Sequence, residues 1–121
     1  MCLLIAVTAV QIEYSPWALD IEDPKIALLK TCRELGVAVV AYSPLGRGFL
    51  TGQIKSRDDF SEGDFRKISP RFSEENFDKN LQLVHALKKI AEKKGCTPGQ
   101  LSLAWLLAQG DDVRSFQGFL I

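Results

Sequence analysis

Residues 37–53, VAVVAYSPLGRGFLTGQ, decide the fold. The run 37–41 is apolar and rich in β-branched side chains, which suits a short strand covered on both faces. It breaks at once into Tyr42, Ser43, Pro44, Leu45, Gly46, Arg47 and Gly48. The two glycines admit positive φ and let the backbone approach another group closely. In α/β proteins ligands collect at the C-terminal ends of parallel strands. Backbone amides of such a turn, the Ser43 hydroxyl and the Arg47 charge suit phosphate oxygens. A tight turn that merely needs glycine accounts for the spacing equally well. The stretch is neither a Walker loop nor a Gly-x-Gly-x-x-Gly fingerprint.

Upstream, Asp23 and Pro24 are an N-terminal pair for a helix, the acid accepting from free amides and the proline pre-set in φ. Leu28, Cys32 and Leu35 recur at helical spacing, and Gly36 supplies the C-terminal cap. Residues 5–12 are apolar and β-branched apart from Thr8 and Gln11, so they are expected to form a strand buried on both faces. Strand, helix and strand with brief links make a βαβ unit, which predicts parallel neighbours. Gln11 in such a strand needs a partner for its amide, either nearby backbone or a ligand. Tyr42 offers a flat face for stacking or is a core tyrosine with a wet hydroxyl. Glu13 and Tyr14 end the strand and serve a site or a turn.

Downstream, residues 56–73 are charged, with scattered Phe60, Phe65 and Phe72, and read as a long loop of the lid or binding kind. Residues 74–94 read as a helix, acidic at its start and basic at its end as the macrodipole prefers, stopped by Gly95. Thr97 and Gln100 have capping-box spacing ahead of a helix that is apolar nearly all round over 101–108. After the turn at 110–112, residues 114–121 show no clear strand pattern. Both expected strands read as interior strands of a larger parallel sheet, so the chain reads as a piece of a bigger α/β architecture.

Composition narrows the function. The 121 residues are 46% hydrophobic and 25% charged, a globular balance. Fifteen basic residues offset fifteen acidic ones, which gives no electrostatic basis for binding nucleic acid or an anionic membrane. Three scattered cysteines without histidines at ligand spacing form neither a disulfide framework nor a metal site, and point to a reducing compartment. The single histidine, His85, falls among polar neighbours in mid-helix. The apolar start lacks the basic region of a signal peptide and reads as a strand. No apolar run reaches the ~20 residues of a membrane span.

Residues 10–17, VQIEYSPW, and 37–52, VAVVAYSPLGRGFLTG, resemble the C-terminal half of NADP-dependent aldo-keto reductases, in particular the branch of pyridoxal reductases and auxin-induced-protein-like enzymes. Residues 97–105, TPGQLSLAW, are similar to the helix before that family's last barrel strand. The resemblance implies a fragment of a (β/α)8 TIM barrel, about its sixth and seventh strands with their helices, because a closed barrel takes ~250 residues. By the same likeness NADP(H) is the cofactor. Gln11 bonds the nicotinamide carboxamide, and Tyr42 stacks on the nicotinamide ring. Ser43, Leu45, Gly46 and Gly48 line the pyrophosphate, with Arg47 beside them. Segment 56–73 folds over the cofactor, and Arg66 or Arg71 approaches phosphate. The implied reaction is NADPH-dependent reduction of small-molecule aldehydes or ketones, and the thiol usage with no targeting segment in view gives the expectation of a cytoplasmic protein.

No position here matches the family's catalytic aspartate, tyrosine, lysine or histidine. The last strand and its phosphate motif are replaced by a divergent tail, 114–121. The expectation is a partial domain over 1–121 without turnover by itself. The alternative is a non-catalytic NADP-binding fragment, or one that self-associates through exposed strand edges.

Overall fold

The computed structural model describes residues 6–116, and the chain folds as two units, one of residues 1–44 with 103–121 and one of residues 45–102. In the first unit, β1 (Ala9–Glu13), β2 (Ala38–Tyr42) and β3 (Val113–Phe116) form an open parallel sheet in that order. Val10, Val39 and Val113 stand in one row of the register, and Gln11, Val40 and Arg114 in the next. Side chains in a row share a face and alternate rows swap faces. Val39, Ala41 and Val113 are fully buried and pack with Tyr14, Ile21, Cys32, Val37 and Leu106. The Tyr14 and Trp105 rings meet edge to face at 5.5 Å.

Helix α1 (Leu28–Leu35) links β1 to β2 and ends at Gly36 in the left-handed conformation, as the sequence predicts. Its start differs from expectation. The Asp23 side chain accepts from the Lys25 amide at 2.8 Å, and its carbonyl accepts from Ile26 and Ala27. Asp23 and Pro24 thereby close a separate turn, and Ala27 at φ 51° breaks the helical path before α1 begins. At its far end Arg33 bonds Asp112 at 3.1 Å and the Gln109 carbonyl at 2.6 Å, fixing the turn into β3. Gly110 stands at φ 155°, a conformation that strains L side chains, and a Cβ there would displace the Asp112 carboxylate.

Two expectations need correction. Neither β1 nor β2 is covered on both faces. β1 is an edge strand whose residues are exposed or half-exposed, and β2 buries only Val39 and Ala41. The residues after Asp112 do form a strand, because β2 offers Val113 to Phe116 a parallel ladder that their own pattern does not announce. Of the expected divergent tail, Arg114 to Phe116 lie in β3. Residues 117–121, like Ile5 at the start of the first expected strand, lie outside the described residues.

The second unit holds α2 (Glu74–Lys94) and the start of α3 (Pro98–Leu107). Phe77, Val84 and Ala91, seven residues apart, are the buried stripe of α2. Gly95 at φ 66° caps it. Thr97 and Gln100 close the expected capping box, each side chain accepting from the other's amide at 3.2 and 2.9 Å. The segment read as a long loop contains three 3-10 turns, Arg57–Asp59, Phe65–Ile68 and Pro70–Phe72. Its Phe60 and Phe72 are buried against Phe49 and Phe77 in edge-to-face contacts with centroids 5.4 to 6.2 Å apart.

Candidate functional site

In the sheet unit the register puts Gln11 and Tyr42 on the same face, the one opposite the buried core. Gln11 is exposed, so the expected buried amide is an accessible one. Tyr42 is the last residue of β2 and stays 37% exposed, its row completed by Glu13 and by Phe116, which is 49% exposed. Sequence reasoning missed Phe116 as Tyr42's neighbour, because its strand was not recognised. Ser43 follows at φ 50°, a left-handed conformation few non-glycine residues adopt. Beneath this face Tyr14 is wholly buried and donates to the Glu22 carboxylate. Burial and that hydrogen bond push its phenol well above the usual range, so it stays protonated.

In the second unit Leu45 to Gly48 form the glycine-rich turn. The Leu45 carbonyl accepts from the Gly48 and Leu50 amides at 3.1 Å, and the Gly46 carbonyl from Phe49 at 3.1 Å. Gly46, Arg47 and Gly48 stand at φ 56°, 58° and 87°, three successive left-handed residues. The amides of Leu45 and Gly46 donate to no acceptor among the described residues. A run of free amides in such a turn is a donor set that fits an anion.

Arg66 reaches this turn from the 3-10 segment. Its Nη1 donates to the Arg47 carbonyl at 2.9 Å, and its Nε and Nη2 hold both oxygens of Asp64 at 2.6 to 3.1 Å. The guanidinium lies 4.6 Å from the centre of the Phe60 ring. The charge-assisted bond from Arg66 pulls the Asp64 carboxyl down to about 2. The spacing of Asp64 and Arg66, an N-cap acid two residues before an arginine, is the signal that would have identified this pair. Arg47 extends over the exposed Phe65 ring at 5.6 Å, and the Arg71 carbonyl accepts from Asn80. His85 is exposed on α2. Among the described residues no three metal-binding side chains cluster, and no helix is long and apolar enough to cross a membrane.

A parallel sheet with a crossover helix, and a glycine-rich turn after the central strand, define a piece of a parallel α/β protein. The chain belongs to the aldo/keto reductase family, whose model matches residues 3–119. It is 61% identical over 112 residues to aldo-keto reductase yakc of Schizosaccharomyces pombe, whose name specifies NADP(+), covering 93% of this chain and 33% of that protein. It is 66% identical over 106 residues to aldo-keto reductase str7 of Strobilurus tenacellus, covering 88% and 32%. Among solved structures it is similar to glycerol dehydrogenase AKR11B4 from Gluconobacter oxydans, with TM-score 0.79, 30% identity and coverage of 89% and 32%. It is also similar to the thermostable aldo-keto reductase Tm1743 in complex with the inhibitor epalrestat, with TM-score 0.56, 28% identity and coverage of 88% and 27%. The chain thus spans about a third of the length of the curated relatives it matches, and its open three-stranded sheet is part of a TIM-barrel aldo-keto reductase fold.

Proposed function

We propose that these residues carry the NADP(H)-binding part of a cytoplasmic oxidoreductase that reduces small-molecule aldehydes or ketones. The observation that carries this reading is the Leu45–Gly48 turn, with its three left-handed residues and two amides that meet no acceptor among the described residues. In this reading the amides of Leu45 and Gly46 and the Ser43 hydroxyl line the pyrophosphate, with Gly48 beside them and Arg47 adding charge. Gln11 bonds the carboxamide, and Tyr42 presents its ring to the nicotinamide. The likeness to a relative named for NADP(+) supports that cofactor over NAD.

The bound cofactor supplies the hydride, while the protein's part is to orient it and exclude water. This chain matches none of the family's proton-donating residues, so turnover is ascribed to the longer architecture and cofactor contact to this part. The test is titration of the 121-residue chain with NADPH, followed by cofactor fluorescence, beside Tyr42→Ala. Saturable binding that weakens about fivefold in the variant is expected, in line with the ~1 kcal/mol of a ring-stacking pair. A second reading, a self-associating fragment, draws on β1 and β3 as the two outer strands of an open sheet. No NADPH binding, together with a mass that grows with concentration, would overturn the first reading in favour of the second.

A further inference from the structure

Asp64 and Arg66 are not accounted for by their own 3-10 segment. A capping aspartate needs only the Arg66 amide, which it accepts at 2.9 Å. Here it also grips the guanidinium through both oxygens, and the two side chains are only 11% and 23% exposed. The planar fork has one edge on Asp64, one nitrogen on the Arg47 carbonyl, and a face toward Phe60. Arg47 is the middle of the three left-handed residues, and its carbonyl orientation sets where the neighbouring peptide groups point. The same nitrogen would lie 3.5 Å from a Cβ at Gly48, so it closes over the turn at van der Waals distance.

We infer that Arg66 is a positioning residue: aimed by Asp64 and Phe60, it fixes the Arg47 carbonyl and so holds the Leu45–Gly48 turn in the shape that presents its amides to a phosphate-bearing ligand. The inference rests on the cofactor reading above for the ligand, but not for the clamp. It opposes the expectation that Arg66 itself approaches phosphate, since its donors are turned to Asp64 and to Arg47. The two roles differ in sign at Asp64. A carboxylate that competes with a phosphate for Arg66 weakens ligand binding, whereas one that aims Arg66 at the turn strengthens it.

The experiment compares the parent chain with Asp64→Asn and Arg66→Lys by NADPH titration and by amide hydrogen exchange at Gly48, Phe49 and Leu50. The α2 amides of Val84 and Ala91 serve as the control for intact folding. Lysine keeps the charge but lacks the fork that spans two acceptors. Both variants are expected to exchange faster at the turn and to bind NADPH about tenfold more weakly, the loss of one charge-assisted hydrogen bond. Tighter binding by Asp64→Asn, or turn exchange unchanged in both variants, overturns the inference. If the parent chain binds no NADPH, the cofactor reading falls, and the exchange data still decide the clamp.

Discussion

Phe49, Phe60, Phe72 and Phe77 in residues 45–102 are all buried and meet one another edge to face, whereas Tyr42 and Phe116, neighbours in one row of the sheet, remain 37% and 49% exposed. The first group has spent its aromatic surface on stability. The second keeps flat faces open on the side opposite the core, where Gln11 also stands. Aromatic residues are equally conspicuous in both stretches of sequence, yet only their environments tell a packing ring from an exposed one. The same contrast holds for charge. Arg66 is turned inward onto Asp64 and a backbone carbonyl, while the exposed side chains of Lys30 and Glu34 form an ordinary helix-surface pair at 3.6 Å.

Phe72→Ala tests the packing side of this comparison most severely. The ring is fully buried and touches both Phe49 and Phe60, so its removal leaves a cavity worth about 3–5 kcal/mol. Urea unfolding and exchange at the α2 amides read the loss. A cost under about 1 kcal/mol would mean that the cluster rearranges freely, unlike a close-packed interior.

Leu106→Ala sets the sheet core against that value. Leu106 is wholly buried, but Val10, Ile12 and Trp105 beside the core are only partly so and can close on a vacancy. The loss is expected in the lower half of the range of about 2–5 kcal/mol for such truncations. Exchange at the β2 amides measures it, and a cost above that of Phe72→Ala would reverse the comparison.

What the sequence made legible follows the same division between local and non-local causes. The caps at Gly36 and Gly95, the box of Thr97 and Gln100, and the span of α2 are written in residues within one or two turns of each other. The parallel pairing of β1 and β2 follows from the βαβ order. The start of α1 was misplaced because Asp23 and Pro24 fit a turn as well as a helix, and only the left-handed Ala27 decides between them. β3 was missed because Arg114 and Ser115 are poor strand signals whose pairing is imposed by β2. At the site, the glycine turn was visible as a pattern, and the exposed positions of Gln11 and Tyr42 emerged only from the register. The Asp64–Arg66 pair was invisible as a clamp, since its acceptor is the carbonyl of Arg47, nineteen residues away.

The smallest expected effect is one of pH, and it tests the inward-turned charge. The Asp64 carboxyl falls from the ordinary 3.8 to about 2 in the folded chain, chiefly through the Arg66 side-chain bond. A group with a depressed folded value adds stability that is present above its unfolded value and is lost as pH falls through the folded one. The advantage of the parent chain over Asp64→Asn in urea midpoint is therefore expected to be constant above about pH 5, to shrink between pH 4 and 2, and to vanish below. An advantage that does not shrink in acid would mean that the Arg66 bond adds no stability through the ionised Asp64 carboxylate. The turn at Leu45–Gly48 would then owe its shape to its own glycines rather than to the segment packed over it.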